Sequence, residues 1–370
     1  LFLISGFNYE APLYLKEAQD YGRKIADTVT SRFSSWSCEE ESKTLRIGLV
    51  SGDLSNHPVG YFLEGLLNLL SRSKLDLFAY PTKLFEDDLT VRIKPYFAAW
   101  QPIVRISDEA AASLIHSDGI HILIDLSGHT AKNRLPIFAW KPAPIQISWL
   151  GYFASTGVAE IDYILGDPYV TPVEEADHFI EKIWQLPESY LCFTEPNVNV
   201  DVCPLPALAN GSVMFGCFNS IERMNDNVVV VWASILKAIP DSRLFLKDKI
   251  FSDSAMRQAV YSRFELVGIG ENRLILEGKS PHSEYLAAYN RVDIALSPFP
   301  YGGGTTSAEG LWMGVPVITK RGDHFLSHLG ESIAHNTGLS NWIASDEDDY
   351  VAKAVEFSSN LDDLAILRSR

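Results

Sequence analysis

Cysteine is scarce in this chain: four among 370 residues, Cys38, Cys192, Cys203 and Cys217. They lack the paired spacing of a metal site and are too sparse for a disulfide scaffold, so they read as reduced thiols in a cytoplasmic protein. No apolar run approaches the roughly 20 residues of a membrane span, which excludes a helical membrane protein. The opening Leu1-Phe2-Leu3-Ile4 is too short for a signal-peptide core and has no basic flank. Positive charge is in deficit, with 31 Lys and Arg against 47 Asp and Glu and a net charge of -16. That balance excludes a general nucleic-acid binder, although a local basic pocket stays open. No Asp-x-Asp pair or His and carboxylate cluster suggests a metal centre. An initiator Met is missing, and Leu361-Asp362-Asp363-Leu364-Ala365-Ile366-Leu367 reads as an interrupted helix, so the chain is expected to be part of something longer. No repeat of helical-hairpin length occurs within it.

What is present is alternation. Near-zero mean hydropathy and ordinary apolar content at this length suit two cores better than one. Residues 11 to 34 carry Leu15, Ala18, Ile25 and Val29 at helical spacing, and Cys38 to Thr44 reads as a polar linker, giving a separate helical segment over 1–44. From Leu45 the pattern predicts strands over 45–50, 75–80, 120–126 and 145–150, with helices over 59–70 and 109–116. After a proline-bearing connection over 195–211 the rhythm restarts, with strands at 213–218, 244–247 and 273–277 and helices at 228–238 and 255–266. Short apolar strands alternating with helices predict parallel, doubly wound α/β sheets, one domain over 45–200 and another over 201–370. The acidic runs Glu39-Glu40-Glu41 and Asp346-Glu347-Asp348-Asp349 read as a solvated linker and a charged helix start.

Function is concentrated between Arg291 and Thr319. An apolar strand opens onto Pro300-Tyr301-Gly302-Gly303-Gly304-Thr305-Thr306-Ser307-Ala308-Glu309 and closes in Met313-Gly314-Val315-Pro316-Val317. Strand, glycine-rich loop and helix start, with two threonine hydroxyls, suit a phosphate or diphosphate. The rival reading is structural, since Thr306 and Glu309 have the spacing of a capping box. A dinucleotide-dependent oxidoreductase is suggested only by Gly268-Ile269-Gly270, which lacks the third glycine and leads into a strand, so it fails its own context.

This loop, together with Asp293 to Phe299 and Glu309 to Val317, resembles the nucleotide-sugar-binding region of the O-linked N-acetylglucosamine transferase and SPINDLY-type family. Arg46 to Pro58, Asp118 to Thr130, Lys141 to Tyr152 and Phe215-Gly216-Cys217-Phe218-Asn219 resemble the same family in the same order, from about Leu45 to the end of the chain. The resemblance implies a GT-B glycosyltransferase with two Rossmann-like domains facing a cleft. It implies inverting transfer of N-acetylglucosamine from UDP-GlcNAc to protein Ser or Thr hydroxyls, no cofactor and no metal, and upstream tetratricopeptide repeats in the full-length protein. The end-to-end pattern is that of bacterial members.

By the same resemblance, Asn219, Arg223, Lys247, Tyr285, Gly303, Gly304, Thr305, Thr306 and Glu309 hold the nucleotide sugar. Arg223 stands where the family has a catalytic lysine, and its rival reading is a surface salt bridge. Tyr285 stands in place of a histidine, with stacking on the base or core packing both open. Ser297 replaces an acidic residue, and Phe153-Ala154 replaces Pro-Gly. His57, Asp118 and His121 are the candidates beside the reacting sugar and acceptor. Either His57 or Asp118 could take the hydroxyl proton, while a helix cap for His57 and an ordinary turn at Asp118-Gly119 are the plain alternatives; His129 could merely shape a strand end. Two further functions stay open. One is GDP-fucose-dependent transfer, because Phe299-Pro300-Tyr301, Glu309 and the stretch over 202–211 resemble the SPINDLY branch. The other is a non-catalytic nucleotide-binding or protein-interaction relative, because of Arg223 and Ser297.

Overall fold

The computed structural model describes residues 1, 10–38 and 42–369. The readings made of Phe2-Leu3-Ile4 and of Glu39-Glu40-Glu41 lie outside the described residues. The chain divides into two units, Leu1–Glu195 and Pro196–Arg370.

The first unit is built on a seven-stranded parallel sheet in the order β3-β2-β1-β4-β5-β6-β7. Its strands are β1 (Leu45–Ser51), β2 (Leu75–Pro81), β3 (Ala99–Trp100), β4 (Ile122–Asp125), β5 (Ile145–Ser148), β6 (Tyr163–Gly166) and β7 (Lys182–Gln185). β1 lies between β2 and β4, with Val50 opposite Tyr80 and Asp125. Val50, Tyr80, Leu123, Ile115 and Phe138 meet in a buried core. Apolar side chains on both faces explain why the strands read as short apolar runs.

The helix expected as a separate segment is part of this unit. α1 (Ala11–Ala26) buries Tyr14, Ala18, Gly22 and Ile25. Tyr14 and Ala18 pack with Tyr152 and Ala154, and the Tyr14 hydroxyl is 2.6 Å from that of Tyr152 and donates to Ser155 O at 3.0 Å. The apolar stripe read as an independent helix is therefore a face covered by the 152–158 loop. The boundary expected at 200 falls at 195, because Val198 and Val200 pack into the second unit's core.

The second unit repeats the order with six parallel strands, β10-β9-β8-β11-β12-β13. They are β8 (Met214–Cys217), β9 (Arg243–Lys247), β10 (Leu274–Glu277), β11 (Ile294–Leu296), β12 (Val317–Lys320) and β13 (Ile343–Ala344). Leu244 and Leu246 face Trp232 and Phe215, whereas Phe245 between them packs with Phe218, Tyr289 and Val292 on the other side. This is the period of two expected of a strand covered on both faces. The helix at the end of the acidic run starts as predicted: Asp346 accepts the Asp349 N–H at 2.8 Å ahead of Glu347–Ser359. Gly268 adopts φ +81 and closes the helix Ser254–Leu266, so Gly268-Ile269-Gly270 is a turn.

In both sheets the strand order reverses direction beside the first strand of the unit, between β1 and β4 and between β8 and β11. Loops leaving the carboxyl ends of those strands diverge to opposite sides and leave room for a ligand.

Candidate functional site

In the second unit the switch point is occupied by the residues following β8 and β11. Asn219, two residues past β8, accepts from the Thr306 hydroxyl at 2.6 Å and from Arg223 Nη1 at 3.5 Å. The same Arg223 Nη1 donates to Gly302 O at 2.8 Å, and the guanidinium lies 3.6 Å from the centroid of the Tyr301 ring. Gly303 N–H donates to Ser297 Oγ at 3.2 Å. The glycine-rich loop is thus tied down at three places, and a cation is stacked against it.

Gly303 has a specific reason to be glycine. A Cβ there would lie 2.5 Å from Thr306 Oγ1 and 2.7 Å from Asn219 Oδ1. At Gly304 nothing lies within 4 Å of the absent Cβ, and this residue is the N-cap of α9 (Thr305–Trp312) with no side-chain cap. The capping-box reading of Thr306 and Glu309 is therefore overturned. Thr306 sits inside the first turn with its hydroxyl turned to Asn219, and Glu309, buried, pairs with His282 Nε2 at 3.1 Å. A helix start without a side-chain cap keeps its first-turn N–H groups and positive dipole end available to an anion.

Lys247 ends β9 as expected and is nearly buried. Its Nζ lies 3.2 Å from Gly278 O and 3.7 Å from Glu277 Oε2. It borders a cavity of about 300 Å³ together with Phe218, Lys249, Gly278, Ser280 and Tyr285. Tyr285 packs at 5.5 Å from Phe218, and its hydroxyl is 3.4 Å from that of Tyr289, which donates to Thr306 O at 2.9 Å. Tyr285 therefore packs against the core and also lines the cavity. Burial pushes the Tyr285 and Tyr289 phenols well above their ordinary pKa, so they remain neutral donors. Burial also lowers the pKa of Arg223, against the attraction of Tyr301, Cys217 and Glu222, yet an arginine stays charged at neutral pH.

In the first unit His57 follows β1 and caps the helix Pro58–Leu70: Val59 N–H donates to its Nδ1 at 3.3 Å. The cap reading is correct, and it has a chemical consequence. A neutral ring whose Nδ1 accepts carries its proton on Nε2. Burial lowers the pKa of His57, which favours that neutral ring, while the carboxylate of Asp53 at 3.8 Å pulls the other way. Asp53 is itself paired with Lys83 at 2.7 Å. His129, by contrast, is held between Tyr21 and Tyr152 with Nε2 on Thr156 O at 2.8 Å, and burial takes its pKa down to about 4. It is a structural side chain.

Asp118 and His121 require correction. Asp118 ends the helix Asp108–Ser117 and accepts from Tyr80 OH at 2.7 Å and Gln101 Nε2 at 2.9 Å. His121 Nδ1 accepts from Arg46 N–H at 3.1 Å. Both precede β4 and sit at the amino ends of β1 and β4, whereas His57 follows the carboxyl end of β1. Seven strand residues at about 3.3 Å each put roughly 20 Å between the two ends. The structure does not bring Asp118 or His121 to His57, and their partners give them structural roles.

The carboxyl end of β4 instead holds Asp125, wholly buried, which accepts from Ser127 N–H at 3.3 Å and Gly128 N–H at 2.7 Å. Burial, offset in part by these two bonds, raises its pKa from 3.8 to about 7, and Glu181 adds repulsion. A carboxyl whose folded pKa is raised contributes its full share of stability below the unfolded value and loses it as pH rises through the folded one. The stability difference between the parent and Asp125→Asn should therefore shift in favour of the variant from about pH 4 to about pH 7, as read by urea denaturation at several pH values. A flat difference would mean that Asp125 titrates at an ordinary value.

Two successive parallel sheets of one Rossmann-like topology, the second carrying a glycine-rich helix start between β11 and β12, are the architecture of GT-B glycosyltransferases. The chain belongs to glycosyl transferase family 41, whose pattern matches residues 24–198 and 194–370. It is 35% identical over 95% of its length to a Solanum lycopersicum protein named "Probable UDP-N-acetylglucosamine--peptide N-acetylglucosaminyltransferase SPINDLY", and it covers 38% of that protein. It is 30% identical over 86% of its length to the Arabidopsis thaliana protein of the same description called SEC, covering 33% of it. Among solved structures, a Thermobaculum terrenum O-GlcNAc transferase mutant superposes with a TM-score of 0.91 at 33% identity, over 98% of this chain and 69% of that one. The galactosyltransferase WaaB, at 11% identity and a TM-score of 0.52 over 88% of this chain and 91% of that one, shares the fold alone.

Some site residues escaped sequence reasoning. Tyr301 is the platform of Arg223, and Asp53 with Lys83 surrounds His57, whereas Ser297, already marked as replacing an acidic residue, supplies the acceptor that fixes Gly303. For Asp53 a signal existed, a carboxylate directly past a strand and four residues before His57. For Tyr301 none did, because stacking depends on the fold of the loop.

Proposed function

We propose that this chain is the transfer region of a protein O-glycosyltransferase that moves N-acetylglucosamine from UDP-GlcNAc to Ser or Thr hydroxyls with inversion. The observation that carries this reading is the constellation of Arg223, Asn219, Thr306 and the Gly302-Gly303-Gly304 turn at the second switch point. Departure of a nucleoside diphosphate leaves negative charge on the β-phosphate. Arg223, Lys247 and the start of α9 are preorganised to stabilise it, which suits transfer without a divalent ion. The cavity of about 300 Å³ beyond Lys247 suits the nucleoside.

In the first unit His57 is the side chain left to face the sugar and acceptor once Asp118 and His121 are set aside. In its capping state it donates from Nε2 to a substrate oxygen, and to accept a proton there it would have to give up the Val59 bond. The protein acceptor, the upstream tetratricopeptide repeats and a cytoplasmic location, in keeping with free Cys38, Cys192, Cys203 and Cys217, belong to the same proposal. The full-length protein is where efficient acceptor choice is expected.

The GDP-fucose alternative rests on the sequence resemblance of Phe299-Pro300-Tyr301, Glu309 and residues 202–211 to the SPINDLY branch. Calorimetric titration of UDP and GDP in the presence of EDTA, followed by transfer from each sugar nucleotide, decides the matter. UDP is expected to bind at least tenfold tighter than GDP, a difference of about 1.4 kcal/mol, and transfer should persist in chelator. Preference for GDP overturns the donor. Binding without transfer from either donor to any protein overturns the enzyme.

A further inference from the structure

The cavity bordered by Lys247 is lined by a solvent-shielded hydroxyl that the fold does not use. Ser280 lies in the loop that follows β10, three residues past its end, and lines the cavity. Its hydroxyl is shielded from solvent and has no hydrogen-bond partner. An unpaired buried hydroxyl costs stability, and nothing local explains it: it caps no helix, since the helix His282–Ala288 is preceded by Pro281 as its N-cap with no side-chain bond. Two neighbours of Ser280 in the same wall are already committed, Gly278 through its carbonyl to Lys247 and Asp248 through its carboxylate to Ile221 N–H at 2.7 Å. The rings of Phe218 and Tyr285 line the same cavity and offer an aromatic face on which a flat heterocycle can stack.

Topology assigns the ends of the ligand. The glycine-rich loop and Arg223 lie over β8 and β11, where a diphosphate is held, whereas Ser280, Lys247 and Phe218 lie over the ends of β10, β9 and β8. A nucleoside diphosphate anchored at the loop therefore extends its base toward Ser280.

We propose that Ser280 is a nucleobase-binding residue whose hydroxyl bonds the polar edge of the base. This rests on the nucleoside diphosphate reading above. A serine hydroxyl both donates and accepts, and its χ1 rotor is free of any competing bond, so it turns to meet the carbonyl and adjacent N–H that uracil and guanine share. Binding of a base relieves the unpaired state.

The test is calorimetry of the full chain with UDP, GDP and inorganic pyrophosphate, comparing the parent with Ser280→Ala and Ser280→Cys. One lost hydrogen bond at a buried edge is expected to raise the Kd of the preferred nucleoside diphosphate about tenfold in both variants. Pyrophosphate, which has no base, should bind parent and variants equally. Parental affinity for the nucleotide in Ser280→Ala, or an equal loss for pyrophosphate, overturns the role of the hydroxyl. If the parent binds pyrophosphate but gains nothing from UDP or GDP, the nucleotide reading itself falls, and this proposal with it.

Discussion

Arg223→Ala should lower sugar transfer by roughly 10²- to 10³-fold while leaving the denaturation midpoint close to that of the parent, because one electrostatic stabiliser of a leaving group typically supplies that much. The side chain makes its bonds to the carbonyl of Gly302 and the amide of Asn219 and lies on Tyr301, so its cation is presented at the loop that would hold the diphosphate. Arg223→Lys sharpens the result. Lysine keeps the charge and loses the planar fork, so it cannot donate to Gly302, reach Asn219 and stack on Tyr301 at once. If charge alone matters, lysine restores most of the lost turnover; if the fork organises the loop, lysine recovers only part and raises the nucleotide Kd. Steady-state rates with saturating donor, read beside Kd from calorimetry, separate the two effects. Transfer by Arg223→Ala at the parental rate would remove the diphosphate role of this side chain while leaving the chain an enzyme.

Much of this site is visible in the residues themselves, and its limits have physical reasons. Ile47 to Ser51 and Phe215 to Cys217 read as strands because both faces are covered and every side chain is apolar or small. β3 has two residues, and β7 alternates Lys182, Ile183, Trp184 and Gln185 with only part of each side covered, so neither carries a strong pattern. The glycine-rich loop between a strand and a helix start was legible because strand, glycines and helix start follow in order. The detail that Thr306 binds Asn219 instead of closing the helix was not, since it depends on a contact 87 residues away in sequence. Asp118 and His121 teach the opposite lesson. They precede their strand, and in a parallel sheet residues before a strand lie at its amino end, so their order alone separates them from His57.

Gly22→Ala should destabilise the first unit by roughly 3–5 kcal/mol, although helix propensity on its own predicts a gain of about 1 kcal/mol for alanine over glycine in a helix interior. The two effects have opposite signs, which makes the measurement decisive. A Cβ at Gly22 would lie 1.7 Å from Gly157 O and 2.7 Å from its carbonyl carbon, both backbone atoms that no rotamer change can move. Gly157 cannot retreat easily: its φ is +75, and its own missing Cβ points at Ala18 O, 1.9 Å away. It is also held from behind, because Glu181 accepts from the Ser155 hydroxyl and from the N–H and hydroxyl of Thr156. α1 must therefore lift, exposing Tyr14, Ala18 and Ile25, and two large side chains returned to water account for the expected loss at about 1.5–3 kcal/mol each. Urea denaturation of Gly22→Ala against the parent reads the sign directly, and Leu13→Ala on the exposed face of the same helix serves as a control expected within about 0.5 kcal/mol of the parent. A more stable Gly22→Ala would mean that α1 stands apart from the sheet, as the polar linker after it first suggested, and that its close approach to Gly157 has no hold on the fold.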